Sequence, residues 1–185
     1  MSKGARRSRL IEDPKGLKSS MAISIQHLDC IRKLIPPDGV LLEYGSGFST
    51  TWLRQQCRED CTIISVDHDI RYAKAADAIL SPYTPAGARG EPAEALQDGW
   101  EEYVYAPFRQ KVVSEGSKFD VIVIDGILRN ACMAAVPELL APEGWVALHD
   151  AQRDYYSNQN LFKWVAYAIP QADERGRQLW LGKLL

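Results

Sequence analysis

Apolar and polar positions alternate along the chain in a readable order. Met21, Ile25, Leu28, Ile31 and Ile35 recur at steps of four and three, which is one face of a helix. Ser19 or Ser20 can cap its start, and Pro36-Pro37-Asp38-Gly39 ends it in a turn. Val40 to Tyr44 then reads as a buried strand, followed by a helix over about 49–56 with Trp52 and Leu53 inward. Residues 61–67 (CTIISVD) are rich in β-branched side chains and form the second strand. Residues 71–80 are helical in composition. The stretch 81–100 carries Pro82, Pro85 and Pro92 and reads as a long loop with one helical turn near 93–97. Loops of that length are often functional. Residues 101–108 are a weaker third strand. Phe119 to Ile124 (FDVIVI) is the clearest strand of all. A helix over about 130–140, bent or shortened by Pro137, leads to a strand at 145–148. A helix at 155–168 and a final strand at 178–185 complete the order, with no internal repeat.

Strands alternate with helices, and the first, second and fourth are apolar along their length. That pattern predicts an α/β fold with a parallel sheet covered on both faces. Ligands of such sheets bind beyond the carboxyl ends of the strands, near the point where strand order reverses. Those ends are charged here: Glu43, Asp67, Asp125 and the pair His149-Asp150.

The 185 residues suit one domain, and 46% apolar content suits a soluble one. We expect a basic, disordered arm over 1–16, holding Lys3, Arg6, Arg7 and Arg9, and a single domain over 17–185. A net charge of −2 argues against non-specific attraction to nucleic acid. No apolar run reaches a membrane span or forms the core of a signal peptide, so we expect a cytoplasmic protein without a membrane partner. The four cysteines, Cys30, Cys57, Cys61 and Cys132, form no CxxC and read as reduced, mostly buried thiols.

The stretch VLLEYGSGFSTT, residues 40–51, carries the chemistry. Gly45 and Gly47 let a ligand approach the backbone without meeting a Cβ. The following helix offers unpaired N–H groups to a carboxylate or phosphate. Ser46, Ser49 and Thr50 add hydroxyl donors, and anionic Glu43 suits a cationic group or ligand hydroxyls while repelling a pyrophosphate. Thr50 stands where the G-x-G-x-x-G fingerprint needs its third glycine, which counts against a dinucleotide. Asp67, 22 residues after Gly45, is placed to accept from ribose hydroxyls. These groups suit a ligand with a ribose and an amino-acid-like end bearing a carboxylate and an ammonium, and S-adenosylmethionine (SAM) has all three.

The segment E-Y-G-S-G resembles the E/D-x-G-x-G motif of class I SAM-dependent methyltransferases, and Asp67 falls where their ribose-binding acid falls. The resemblance runs from about residue 20 to the end and includes FDVIVIDG and APEGWVALHD. More narrowly, LLEYGSG, IDGILR and LHD resemble a bacterial methyltransferase-like group. It implies a Rossmann-like three-layer sandwich whose mostly parallel sheet of six to seven strands ends in an antiparallel strand. It assigns Glu43, Gly45, Ser46 and Gly47 to the methionine end of SAM, Asp67 to the ribose, and His68 to the adenosine; Tyr44, Ser49 and Thr50 are the further cofactor-binding candidates. No acid stands clearly after the third strand, where the family's adenine-side acid lies.

Methyl transfer to oxygen or nitrogen needs an aligned acceptor and a base. His149, Asp150 and Asp125 are the catalytic candidates. His149 has the intrinsic pKa of a base, or is a structural histidine on a loop carbonyl. Asp150 orients His149, or bonds Arg153 or a loop amide. Arg129 pairs with an acidic substrate, or with Asp125 or Glu138. Some small-molecule O-methyltransferases of this fold hold magnesium at these strand ends. Asp125 and Asp150 are the candidates for that, although two carboxylates are thin support and no metal is the preferred expectation. Tyr155, Tyr156, Trp100, Tyr103 and Tyr105 line an acceptor pocket or simply pack. The expected function is SAM-dependent O- or N-methylation of a small molecule, in an open pocket or one completed by a second subunit of a homodimer. The alternative is a SAM- or nucleotide-binding protein without transfer activity. A nucleic-acid methyltransferase ranks below both, because no Asn-Pro-Pro-Tyr-like motif follows the fourth strand.

Overall fold

A computed structural model describes residues 23–83, 99–153, 162–167, 173 and 175–184. The basic arm, the helical turn expected near 93–97, and Tyr155 and Tyr156 lie outside these residues. Chain order is α1 (Ile25–Leu34), β1 (Val40–Tyr44), α2 (Phe48–Gln56), β2 (Thr62–Asp67), α3 (Ile70–Ala76), β3 (Ile79–Leu80), α4 (Glu101–Val104), α5 (Ala106–Arg109), β4 (Phe119–Ile124), α6 (Arg129–Leu139), β5 (Leu140–His149), β6 (Phe162–Tyr167) and β7 (Leu179–Leu184). The strands form one sheet in the order β3-β2-β1-β4-β5-β7-β6. The first five run parallel, and β7 runs antiparallel to both β5 and β6. This is the expected sandwich, with seven strands and an antiparallel last one.

The apolar runs split cleanly between the two faces because successive strand residues point opposite ways. Leu41, Val121, Val123 and Ala147 pack with Leu28 and Ile31 of α1 and Trp52 and Leu53 of α2. Leu42, Tyr44, Ile122, Ile124 and Leu148 pack on the other face with Cys132, Val136 and Leu139 of α6. The order steps outward from β1 to β2 and β3 on one side and to β4 and β5 on the other. The switch point therefore lies between β1 and β4.

Several elements differ from the sequence reading. Ser24 caps α1 by accepting from the His27 amide, so the helix starts later than Ser19 or Ser20 would set it, and Ile25 is left exposed. Residues 101–109 form two short helices, and the third strand is Ile79–Leu80. The aromatic and β-branched side chains that suggested a strand pack from these helical turns into the core, Tyr103 and Val104 fully buried. Residues 162–167 form strand β6, not a helix, because β7 offers them an antiparallel edge. Pro137 sits inside α6 without ending it. Of the four cysteines, all free, Cys132 is buried and the others are half-buried. No helix among the described residues is long and apolar enough to cross a membrane.

Candidate active site

The cleft opens where β1 and β4 end side by side. Gly45 has φ +96°, and a Cβ there would stand 2.5 Å from the Gly126 amide nitrogen. Gly45 is thus required by the close approach of the backbone at Asp125-Gly126. Gly47 is different: at φ +154° a Cβ would meet nothing closer than Tyr72 at 3.8 Å. The space beside Gly47 is open, and α2 begins immediately after it. The Phe48, Ser49 and Thr50 amides precede Thr51, the first donor to an α2 turn carbonyl, so this end presents N–H groups to the cleft.

Glu43 does not line that cleft. It is fully buried beneath the loop and accepts from Ser49 Oγ (2.5 Å), Thr50 Oγ1 (2.5 Å) and Ser65 Oγ (2.6 Å). Thr50 Oγ1 in turn accepts from the Gly47 amide at 3.1 Å. The carboxylate therefore fixes the glycine loop and the start of α2 from below. Burial pushes its pKa up, and the three hydroxyls only partly oppose this. Tyr44 and Thr50 are also buried behind the wall, with Tyr44 donating to the Val104 carbonyl at 2.7 Å.

Asp67 faces the cleft at the end of β2. Its Oδ2 accepts from the Ser46 amide (2.7 Å) and Ser46 Oγ (3.1 Å), and its Oδ1 accepts from the Asp69 amide (2.8 Å). Burial would raise its pKa, but these bonds and His68, whose Nδ1 lies 3.3 Å away, hold it below the usual carboxylate range. A carboxylate kept ionised here can accept from ligand hydroxyls.

The ends of β4 and β5 are joined by Arg129, the first residue of α6. Its guanidinium donates from Nε to the Gly126 carbonyl (3.0 Å), from Nη2 to the Asp125 carbonyl (2.8 Å) and Oδ1 (3.1 Å), and from Nη1 to the His149 carbonyl. Nη1 also lies 3.6 Å from Asp150 Oδ2, which accepts from Arg153 Nη2 at 2.7 Å. Of the partners open to Arg129, the fold supplies Asp125; Glu138 instead accepts from the Tyr105 hydroxyl at 3.0 Å. His149 is wholly buried, with Nδ1 2.7 Å from Asp125 Oδ1 and no hydrogen-bond partner for Nε2 among the described residues. Its ring meets that of His27 edge-on at 5.7 Å. His27 is buried with neither ring nitrogen hydrogen-bonded among the described residues, and burial, with His149 beside it, lowers its pKa to about 4.

These parts surround one cleft of about 500 Å³. The wall holds Gly45, Ser46, Gly47, Ser49, Asp67, His68, Asp125 and Asp150 of the sequence candidates; Glu43, Tyr44, Thr50 and His149 stand behind it. Phe48, Tyr72, Ile127, Gln152 and Arg177 also line it, and the sequence did not single them out. Ile127 follows the Asp125-Gly126 strand end, which was a usable signal. Arg177 arrives from just before β7, and only the antiparallel strand brings it near. Among the aromatic candidates, Tyr103 is buried in the core and Trp100 packs against Tyr105 at 6.1 Å.

A family model described as a methyltransferase domain matches residues 42–151. No curated protein sequence matches the chain. Among solved structures, the chain is similar to a methyltransferase-like protein from Silicibacter pomeroyi (TM-score 0.58, 18% identity, 90% of each chain covered). It is also similar to an O-methyltransferase from Bacillus cereus in complex with SAH (TM-score 0.59, 13% identity, 89% of this chain and 82% of that one). A TehB-like SAM-dependent methyltransferase from Corynebacterium glutamicum is a third (TM-score 0.55, 13% identity, 86% and 87%). At these identities the likeness carries the fold.

Proposed function

The chain belongs to the methyltransferase domain family, and from that premise we propose that it binds SAM in the cleft between β1, β2 and β4 and methylates an oxygen or nitrogen of a small molecule. The observation that carries this reading is an open Gly47 and α2 start and, beside them on the wall of the same cleft, an ionised Asp67. One end takes an amino-acid carboxylate on backbone amides, and the other takes a diol. Methyl-bearing sulfonium chemistry is what SAM supplies when bound. The protein's part is alignment and proton handling. Asp125, a carboxylate on the cleft wall, takes the proton that the acceptor loses. His149, behind it at 2.7 Å, and Arg129 hold that carboxylate in place. Asp150 is held by Arg153 and shapes the same wall.

The test is calorimetric titration of the protein with SAM and with S-adenosylhomocysteine (SAH). Binding of both is expected, with a loss of more than about tenfold in Asp67→Ala, since hydrogen bonds to a charged group are each worth about 1.5–3 kcal/mol. A folded protein that binds neither ligand removes the reading. Binding without transfer is the second reading, favoured by the sealed position of His149. It is distinguished by a methyl-transfer assay with radiolabelled SAM over a panel of small hydroxyl and amine acceptors. The net charge of −2 supports a small acceptor over nucleic acid. A cytoplasmic homodimer completes the reading, and sedimentation as a monomer would remove the second subunit from it.

A further inference from the structure

Asp125, His149 and Asp150 offer donor atoms that all lie within 4.8 Å of one another, the kind of cluster that can hold a metal ion. The charges around it say otherwise. Arg129 Nη2 already sits 3.1 Å from Asp125 Oδ1, and Nη1 sits 3.6 Å from Asp150 Oδ2. The guanidinium is nine-tenths buried and fastened by three backbone carbonyls, those of Asp125, Gly126 and His149. A fork with fixed donors in such a setting is not a mobile side chain that an ion could push aside. The remaining donor, His149 Nδ1, is turned to Asp125 Oδ1, and a divalent magnesium ion prefers oxygen ligands in octahedral array. Leu128 (φ +52°) and Asp150 (φ +59°), on either side of the clamp, are non-glycine residues in the left-handed region. Their backbone conformation is what brings carbonyls and carboxylates around the one guanidinium.

We infer that Arg129 is the resident cation of this site: its guanidinium occupies the place between the Asp125 and Asp150 carboxylates that a divalent metal would need, and the centre works without one. Arg129 is then a positioning residue that sets the Asp125 carboxylate. The residues present do not fit a magnesium ion while Arg129 is there.

The inference is tested on the full chain by following the electron paramagnetic resonance of Mn²⁺, without cofactor, so that its outcome is independent of SAM binding. Wild-type protein is expected to leave the free Mn²⁺ signal unchanged at millimolar ion. Arg129→Met, which keeps an unbranched stem and removes the charge, is expected to take up Mn²⁺, and adding Asp150→Asn to it is expected to abolish that uptake. Arg129→Lys, which keeps the charge, is expected to take up none. Mn²⁺ bound by the wild type and lost in Asp125→Asn overturns the inference, as does a folded Arg129→Met that takes up no ion. If Arg129→Met does not fold, the wild type and Asp125→Asn decide: uptake that Asp125→Asn loses refutes, and no such uptake supports.

Discussion

Replacing Glu43 separates two roles, holding the loop and touching the ligand, that the motif alone would merge. In the structure its carboxylate receives three hydroxyl hydrogen bonds and no position on the cleft wall. Glu43→Ala would strand Ser49, Thr50 and Ser65. Leaving a buried polar group without its partner costs about 1–3 kcal/mol, and relief of the buried charge offsets part of the sum. We expect a net loss of about 3–5 kcal/mol, which at about 2–4 °C per kcal/mol lowers Tm by about 6–20 °C. Glu43→Gln is the informative partner. Its carbonyl can stand at the Oε2 position and accept from Thr50 and Ser65, while its amide donates to Ser49, whose hydroxyl rotates to accept. Stability should then stay within about 1 kcal/mol of wild type. The pH dependence has a definite sign. The folded pKa of Glu43 is raised, so its contribution to stability is greatest at acid pH and falls as pH rises through the interval between the unfolded and folded values. Glu43→Gln lacks that titration, so its stability relative to wild type should improve from acid to neutral pH. The assays are urea unfolding at several pH values and calorimetry with SAH. SAH affinity of Glu43→Gln should stay within about threefold of wild type, a change under about 0.7 kcal/mol. A stably folded Glu43→Gln that loses more than about tenfold in SAH affinity would refute the reasoning, because Glu43 would then have to touch the ligand.

The two loop glycines should fail differently. Gly45→Ala drives a Cβ into the Gly126 backbone and should unfold or grossly destabilise the protein in a thermal melt, whereas Gly47→Ala meets open space. The latter should cost about 1–3 kcal/mol through backbone conformation and otherwise show itself as weakened SAH binding. His27, with its pKa lowered to about 4 from 6.5, is neutral when folded and takes up a proton on unfolding. Its contribution is present above pH about 6.5 and is lost as pH falls toward about 4, by up to about 3 kcal/mol. Urea unfolding of His27→Phe across this range should show a flatter acid limb than wild type; an unchanged limb would place the titration elsewhere.

The strands β1, β2 and β4 were legible because each is an apolar run bounded by turn residues, and a run buried on both faces can be little else at that length. The strand expected over 101–108 and the helix expected over 155–168, of which 162–167 is a strand, depart from the structure for one reason. Short segments rich in aromatic and β-branched residues suit either state, and the choice rests on what they meet. Tyr103 and Val104 met the core, and Phe162–Tyr167 met the edge of β7. The same division runs through the site. The sequence by itself determined that charged and glycine residues stand at the strand ends, and Asp67 and Gly47 sit on the cleft wall as that pattern implied. Only the tertiary structure decided which way each side chain turns. Glu43 points down because three hydroxyls on α2 and β2 surround it, and His149 turns inward to Asp125 and His27. Gly45 is glycine for the sake of Gly126, 81 residues away in sequence. Periodicity reports one residue's neighbours along its own strand or helix. Burial, ion pairing and close backbone approach are set between strands distant in sequence, and so appear only when the sheet is assembled.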